Sequence, residues 1–173
     1  MLALLLEGLT DFHTISRETV QLIMPEVILT VFGCAALILD VLLPRAHKRV
    51  VAWVSLAGIG FSLVSLGILY PNLVKDQAAR SGFFHMILLD DYAIVFKLMF
   101  LIGAGISVIL SIKYLDEEGE QRGEYYSLIL FSVVGMMFMA CSVDLLSLFI
   151  SLELMAISVY ILVGFFKRDR KSN

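Results

Sequence analysis

Five apolar runs, each close to twenty residues, dominate this chain: Leu22 to Leu43, Val50 to Tyr70, Tyr92 to Tyr114, Tyr125 to Ser142 and Leu145 to Phe166. A helix rises about 1.5 Å per residue, so about twenty residues cross the hydrocarbon of a bilayer. Five such runs in succession are hard to reconcile with a soluble core. Composition agrees: hydrophobic residues make up 60% of the chain and charged residues 17%, against about 25% charged in soluble domains. The fold class is therefore an all-α polytopic membrane protein, a bundle of five transmembrane helices.

The rest of the chain divides around those runs. Residues 1–21 form an N-terminal surface segment, with no basic start and with LALLL cut short by Glu7, unlike a cleaved signal peptide. Residues 22–114 hold the first three spans, and residues 115–124 an acidic loop. Residues 125–166 hold the last two, separated only by Val143 and Asp144, which forces a tight antiparallel hairpin. A basic tail, residues 167–173, closes the chain. Five spans place the two ends on opposite sides of the membrane. Arg45, Lys48, Arg49, Lys113, Arg122, Lys167, Arg168, Arg170 and Lys171 fall on one side, and only Arg17, Lys75 and Arg80 on the other. Positive residues mark the cytoplasmic side, so the N-terminus is expected outside and the C-terminus inside.

Several classes of function are excluded or unsupported. A net charge of −3 without a basic stripe gives no case for nucleic acid. Cys34 and Cys141 lie in or at the edge of apolar runs and suggest neither a disulfide framework nor a metal site. His13, His47 and His85 fall in loops, which leaves haem between helices unsupported. Met136, Met137 and Met139 read as gap-fillers between helices. No phosphate-binding loop and no nucleophile elbow is present.

The informative residues are the charges inside the spans. Pro25 and Glu26 open the first span, where proline sacrifices no hydrogen bond and a carboxylate complements the helix dipole, so they read as a capping pair. Asp40 lies within a turn of the opposite end and reads as reaching water, or Lys48 and Arg49. Lys97 is about 7 Å into the third span, a depth from which a lysine stem can snorkel to the interface, and it is the second candidate for proton transfer.

Glu153 is the first candidate. It is the only charge between Leu145 and Phe166 and lies about 12 Å into that span, too deep and too short to reach an interface. A carboxylate at that depth costs at least about 2.5 kcal/mol, and such residues mark ion pathways and proton relays. At about 100° per residue, Tyr160 lies about 20° from it on the helix wheel, flanked by Ala156 and Gly164. Ser147, Ser151 and Ser158 gather on the opposite side, placed for interhelical hydrogen bonds. Burial and a neighbouring lysine pull a carboxyl's proton affinity in opposite directions, and a group held between them can take up and release protons.

Two stretches carry a resemblance. GEYYSLILFSVVGMMFMACSVDLLSLFISLELMAISVYILVGF, from Gly123, resembles the antiporter-like, proton-translocating membrane subunits of NADH:quinone oxidoreductase, respiratory complex I. PEVILTVFGCAALILDVLLP, from Pro25 to Pro44, is similar more narrowly to the opening helix of the subunit N branch, and KRDRKSN to the loop after its fifth helix. The resemblance implies that Glu153 is the family's fifth-helix glutamate, which pairs with a lysine on the seventh helix in a line of charges along the membrane arm. It implies no redox cofactor in this chain, with NADH, flavin, iron–sulfur clusters and quinone held by other subunits. It implies other membrane subunits of the complex and the lipid bilayer as partners, and the bacterial plasma membrane as location. Where the family commonly has Gly, Ser151 stands here, a mild departure. Family members carry about fourteen helices around inverted repeats that line their half-channels together. A chain ending at Asn173 lacks the later lysines, which implies a fragment, a split gene or a decayed remnant. Two alternatives stand beside this reading: a subunit of a multi-subunit sodium/proton antiporter, which shares the fourth- and fifth-helix pattern, and a truncated, non-conducting membrane scaffold.

Overall fold

A computed structural model describes residues 20–43, 49–75, 81–82, 86–117 and 123–165 of the 173. The expected surface segment up to residue 19, the basic tail, residues 118–122 of the acidic loop and all three histidines lie outside the described residues. Each apolar run is one helix: α1 Met24–Leu42, α2 Arg49–Lys75, α3 Asp91–Glu117, α4 Gly123–Cys141 and α5 Leu145–Phe165. All five are long and apolar enough to cross a membrane.

The helix ends follow local chemistry. Pro25 sits in the first turn of α1, where the missing N–H costs nothing. Asp90 caps α3, its Oδ1 accepting the Ala93 N–H at 2.7 Å. Asp144 caps α5 in the same way, accepting the Leu146 N–H at 3.2 Å. Between α2 and α3 the chain forms a short antiparallel ribbon, β1 Ser81–Gly82 with β2 Ile87–Leu88. Ile87 also bridges to Ser142, and the Val143 N–H donates to the Met86 carbonyl at 2.9 Å. The ribbon is thereby fastened to the turn between α4 and α5.

The helices pack as an antiparallel bundle with α4 at its centre, against α1, α2, α3 and α5. Leu29, Val51, Leu101, Val108, Leu130 and Met137 form the middle of the core, each wholly or almost wholly buried. Met137 fills that core as expected, while Met136 packs at its edge. At Gly135 the backbones of α4 and α5 come into close approach. A Cβ there would lie 2.7 Å from the Met155 backbone nitrogen and 2.9 Å from the Ser151 carbonyl oxygen. Only glycine lets α4 and α5 meet this closely, which makes the expected hairpin tight along its length.

Candidate functional site

Glu26 projects from the first turn of α1 and Lys97 from the second turn of α3. Both helices begin at the same end of the bundle, and the two side chains meet between them. Lys97 Nζ lies 2.5 Å from Glu26 Oε1, and both side chains are 0% exposed. Two expectations are corrected here. Glu26 does not cap its helix at the membrane surface, and Lys97 does not snorkel. Each has an opposite charge within reach inside the protein, and that contact is worth more than a stretched path to water, since an isolated buried charge is prohibitively costly.

The surroundings of the pair are sparse in polar groups. Among the described residues, neither Glu26 oxygen nor Lys97 Nζ has a conventional hydrogen-bond partner beyond the ion pair itself. Cys141, at the end of α4, is buried near enough to interact electrostatically with both charges. Its own S–H turns back to the carbonyls of Met137 and Phe138, at 3.4 and 3.3 Å. Cys141 also belongs to a small apolar cluster with Leu22, Ile87, Leu89 and Ala93. The Ser62 hydroxyl of α2 donates to the Pro25 carbonyl at 3.0 Å, which holds the first turn of α1 in place. At this separation one proton passed from Lys97 to Glu26 converts an ion pair into a neutral pair with little movement of heavy atoms. A proton gained or lost by the pair changes its charge by one in a site without water-facing atoms.

Asp40, at the other end, makes a contact that its sequence position does not announce. It is 8% exposed and does not turn to water. Its Oδ1 accepts the Gly123 N–H at 2.8 Å, across 83 positions of sequence. A carboxylate from α1 thus satisfies an orphan donor at the start of α4 and complements that helix's dipole.

Glu153 points away from the other helices. Its side chain is exposed on α5, next to exposed Leu152, Leu154 and Ile157, with Tyr160 exposed on the same stripe. Among the described residues it has no hydrogen bond or ion pair. The opposite face is turned in, with Ser151 and Ser158 buried. Their hydroxyls do not bridge helices as expected. Ser151 donates to the Ser147 carbonyl at 2.6 Å and Ser158 to that of Leu154 at 2.9 Å, one turn back in the same helix. Among the described residues, nothing approaches a Cβ at Gly164 within 4 Å, so no described helix packs on that small residue. The two candidates are therefore not brought together: Lys97 belongs to Glu26, and Glu153 faces outward.

Sequence reading missed the role of Glu26, although a signal was present. Glu26 and Lys97 carry opposite charges at similar depth in two spans that start on the same side of the membrane. That parity makes them potential partners before any coordinates exist. Among the described residues, no three His, Cys, Asp or Glu side chains converge as metal ligands.

No protein-family model matches the chain. Among curated proteins, it is 42% identical over 165 residues to NADH-quinone oxidoreductase subunit N 1 of Koribacter versatilis, covering 93% of the chain and 32% of that protein. It is likewise 42% identical over 162 residues to NADH-quinone oxidoreductase subunit N of Trichlorobacter lovleyi, covering 94% of the chain and 31% of that protein. Against NAD(P)H-quinone oxidoreductase subunit 2 of Nostoc punctiforme it is 34% identical over 168 residues, 94% of the chain and 30% of that protein. The chain spans about a third of the length of these relatives.

Proposed function

The chain belongs by sequence to the subunit N family of NADH-quinone oxidoreductases, of which it covers about a third, and we propose that it serves in the membrane arm of such an enzyme, taking part in redox-driven proton translocation through Glu153. The observation that carries this reading is the position of Glu153: mid-helix, exposed on an otherwise apolar face, and without a partner among the described residues. A carboxylate presented to lipid is costly, whereas one presented to a protein or water-lined surface is a proton carrier. The face around Glu153 is accordingly covered by protein outside these five helices, where a cationic partner completes the relay. Glu26 and Lys97 form a second proton-handling element, enclosed within the bundle. Electrons stay in other subunits, which hold the nicotinamide, flavin, iron–sulfur and quinone chemistry. On this reading the chain lies in the bacterial plasma membrane, with the Asp40 end of the bundle toward the cytoplasm. The relatives' names support the redox reading over the sodium/proton antiporter alternative.

Infrared difference spectroscopy of the assembled complex tests the assignment. Turnover should produce a protonated-carboxyl band that disappears in Glu153→Gln. An unchanged band in an assembled, redox-active Glu153→Gln complex would remove Glu153 from the pathway.

A further inference from the structure

At the end of the bundle opposite the Glu26–Lys97 pair, α2 and α3 enclose a groove of about 560 Å³ lined by Arg49, Trp53, Leu56, Ile109, Ile112 and Lys113. Its chemistry is graded along the helices. Arg49 is the first residue of its membrane-length segment and Lys113 lies close to the end of its own, so both cations stand at one membrane interface. Trp53 follows Arg49 by one turn and is 66% exposed. Leu56, about 10 Å along its helix from Arg49, and Ile109, about 6 Å along its own from Lys113 at 1.5 Å per residue, supply an apolar floor.

We propose that this groove binds an anionic phospholipid, the phosphate held by Arg49 and Lys113 and an acyl chain laid against Leu56 and Ile109. Three features select that occupant. Two cations at the mouth of an apolar interhelical groove complement a phosphate joined to hydrocarbon, and basic pockets between transmembrane helices bind such headgroups. The amino end of α2, where Arg49 sits, adds the positive end of a helix dipole. Trp53 lies at the depth where an indole favours the headgroup boundary. A peptide partner would not need an apolar floor that runs along the bilayer normal.

The chain carries its own reporter, because Trp53 is its only tryptophan. The purified chain is reconstituted in phosphatidylcholine bilayers containing brominated phosphatidylglycerol or, in parallel, brominated phosphatidylcholine, and quenching of Trp53 is followed against mole fraction. The anionic lipid should win by about fivefold for each contributing cation, the size expected of one interfacial Lys or Arg. Arg49→Gln with Lys113→Gln should erase the preference, Lys113→Gln alone should lose about fivefold of it, and Arg49→Lys with Lys113→Arg should keep it. Lys167→Gln, at the basic tail, should leave it unchanged. Equal quenching by the two lipids would overturn the proposal, as would a preference that survives undiminished in either glutamine variant at unchanged helical content. Relief of quenching by excess inorganic phosphate would show a free-anion site and overturn the lipid assignment.

Discussion

Lys97 Nζ and Glu26 Oε1 stand 2.5 Å apart with neither side chain touching solvent, joining the start of α1 to the start of α3. Those two helices share little other contact, since α1 packs chiefly on α2 and α4. The ion pair is therefore the tie between two elements that the hydrophobic core holds only indirectly. It is also conditional, because either partner alone would be an uncompensated charge in a dry site.

That dependence can be measured as coupling. Glu26→Leu or Lys97→Leu alone should destabilise the chain by about 3–5 kcal/mol, whereas the double variant should recover most of the loss because a well-packed apolar pair replaces a buried ion pair at little cost. Thermal unfolding of the three variants in one detergent checks it. Additive losses would mean that the two residues act independently.

The contact between Asp40 and Gly123 makes a second prediction. A Cβ at Gly123 would fall 2.5 Å from Asp40 Oδ1 and 2.9 Å from its Cβ, leaving no room for both side chains. Gly123→Ala should therefore displace the carboxylate and lose the bond that it makes, costing about 1–3 kcal/mol, with Asp40→Ala losing a similar amount. Combining the two changes should cost less than their sum, as read by the unfolding midpoint. Full additivity would break the link between the residues.

Gly135 and Gly164 form an internal contrast. Alanine at Gly135 would press on the backbone of Ser151 and Met155, which cannot swing aside, while alanine at Gly164 meets open space. Gly135→Ala should lower stability by about 1–3 kcal/mol through overpacking, and Gly164→Ala should be near neutral in the chain alone. Equal effects in thermal unfolding would contradict the close α4–α5 approach. In the assembled complex, a penalty appearing only for Gly164→Ala would mark the face that another helix covers.

Much of this architecture is legible in the amino-acid order because membrane spans are long, uniform and fixed in length by the bilayer. The α4–α5 hairpin follows from having only Val143 and Asp144 between two spans. The division of α5 into a Glu153–Tyr160 face and a Ser151–Ser158 face follows from its helical period alone. What pairs with what is another matter. Glu26 read as a cap and Lys97 as a snorkelling side chain because each has a sound local explanation. Only the crossing of α1 and α3 in space cancels both. The bond from Asp40 to a backbone N–H 83 positions away was missed for the same reason, since no side-chain pattern announces it. The Ser151 and Ser158 hydroxyls went the other way, to a local carbonyl one turn back, whereas Ser147 also reaches the Met86 carbonyl outside its helix.

The central claim is that Glu153 carries protons during redox turnover, and the direct measurement is the number of protons moved per electron pair by the assembled complex reconstituted in sealed vesicles, with Glu153→Gln against the unaltered protein. The account predicts a complex that assembles normally and pumps markedly fewer protons per electron pair, with Glu153→Asp retaining part of the difference. An unchanged proton yield from a fully assembled Glu153→Gln complex would contradict it.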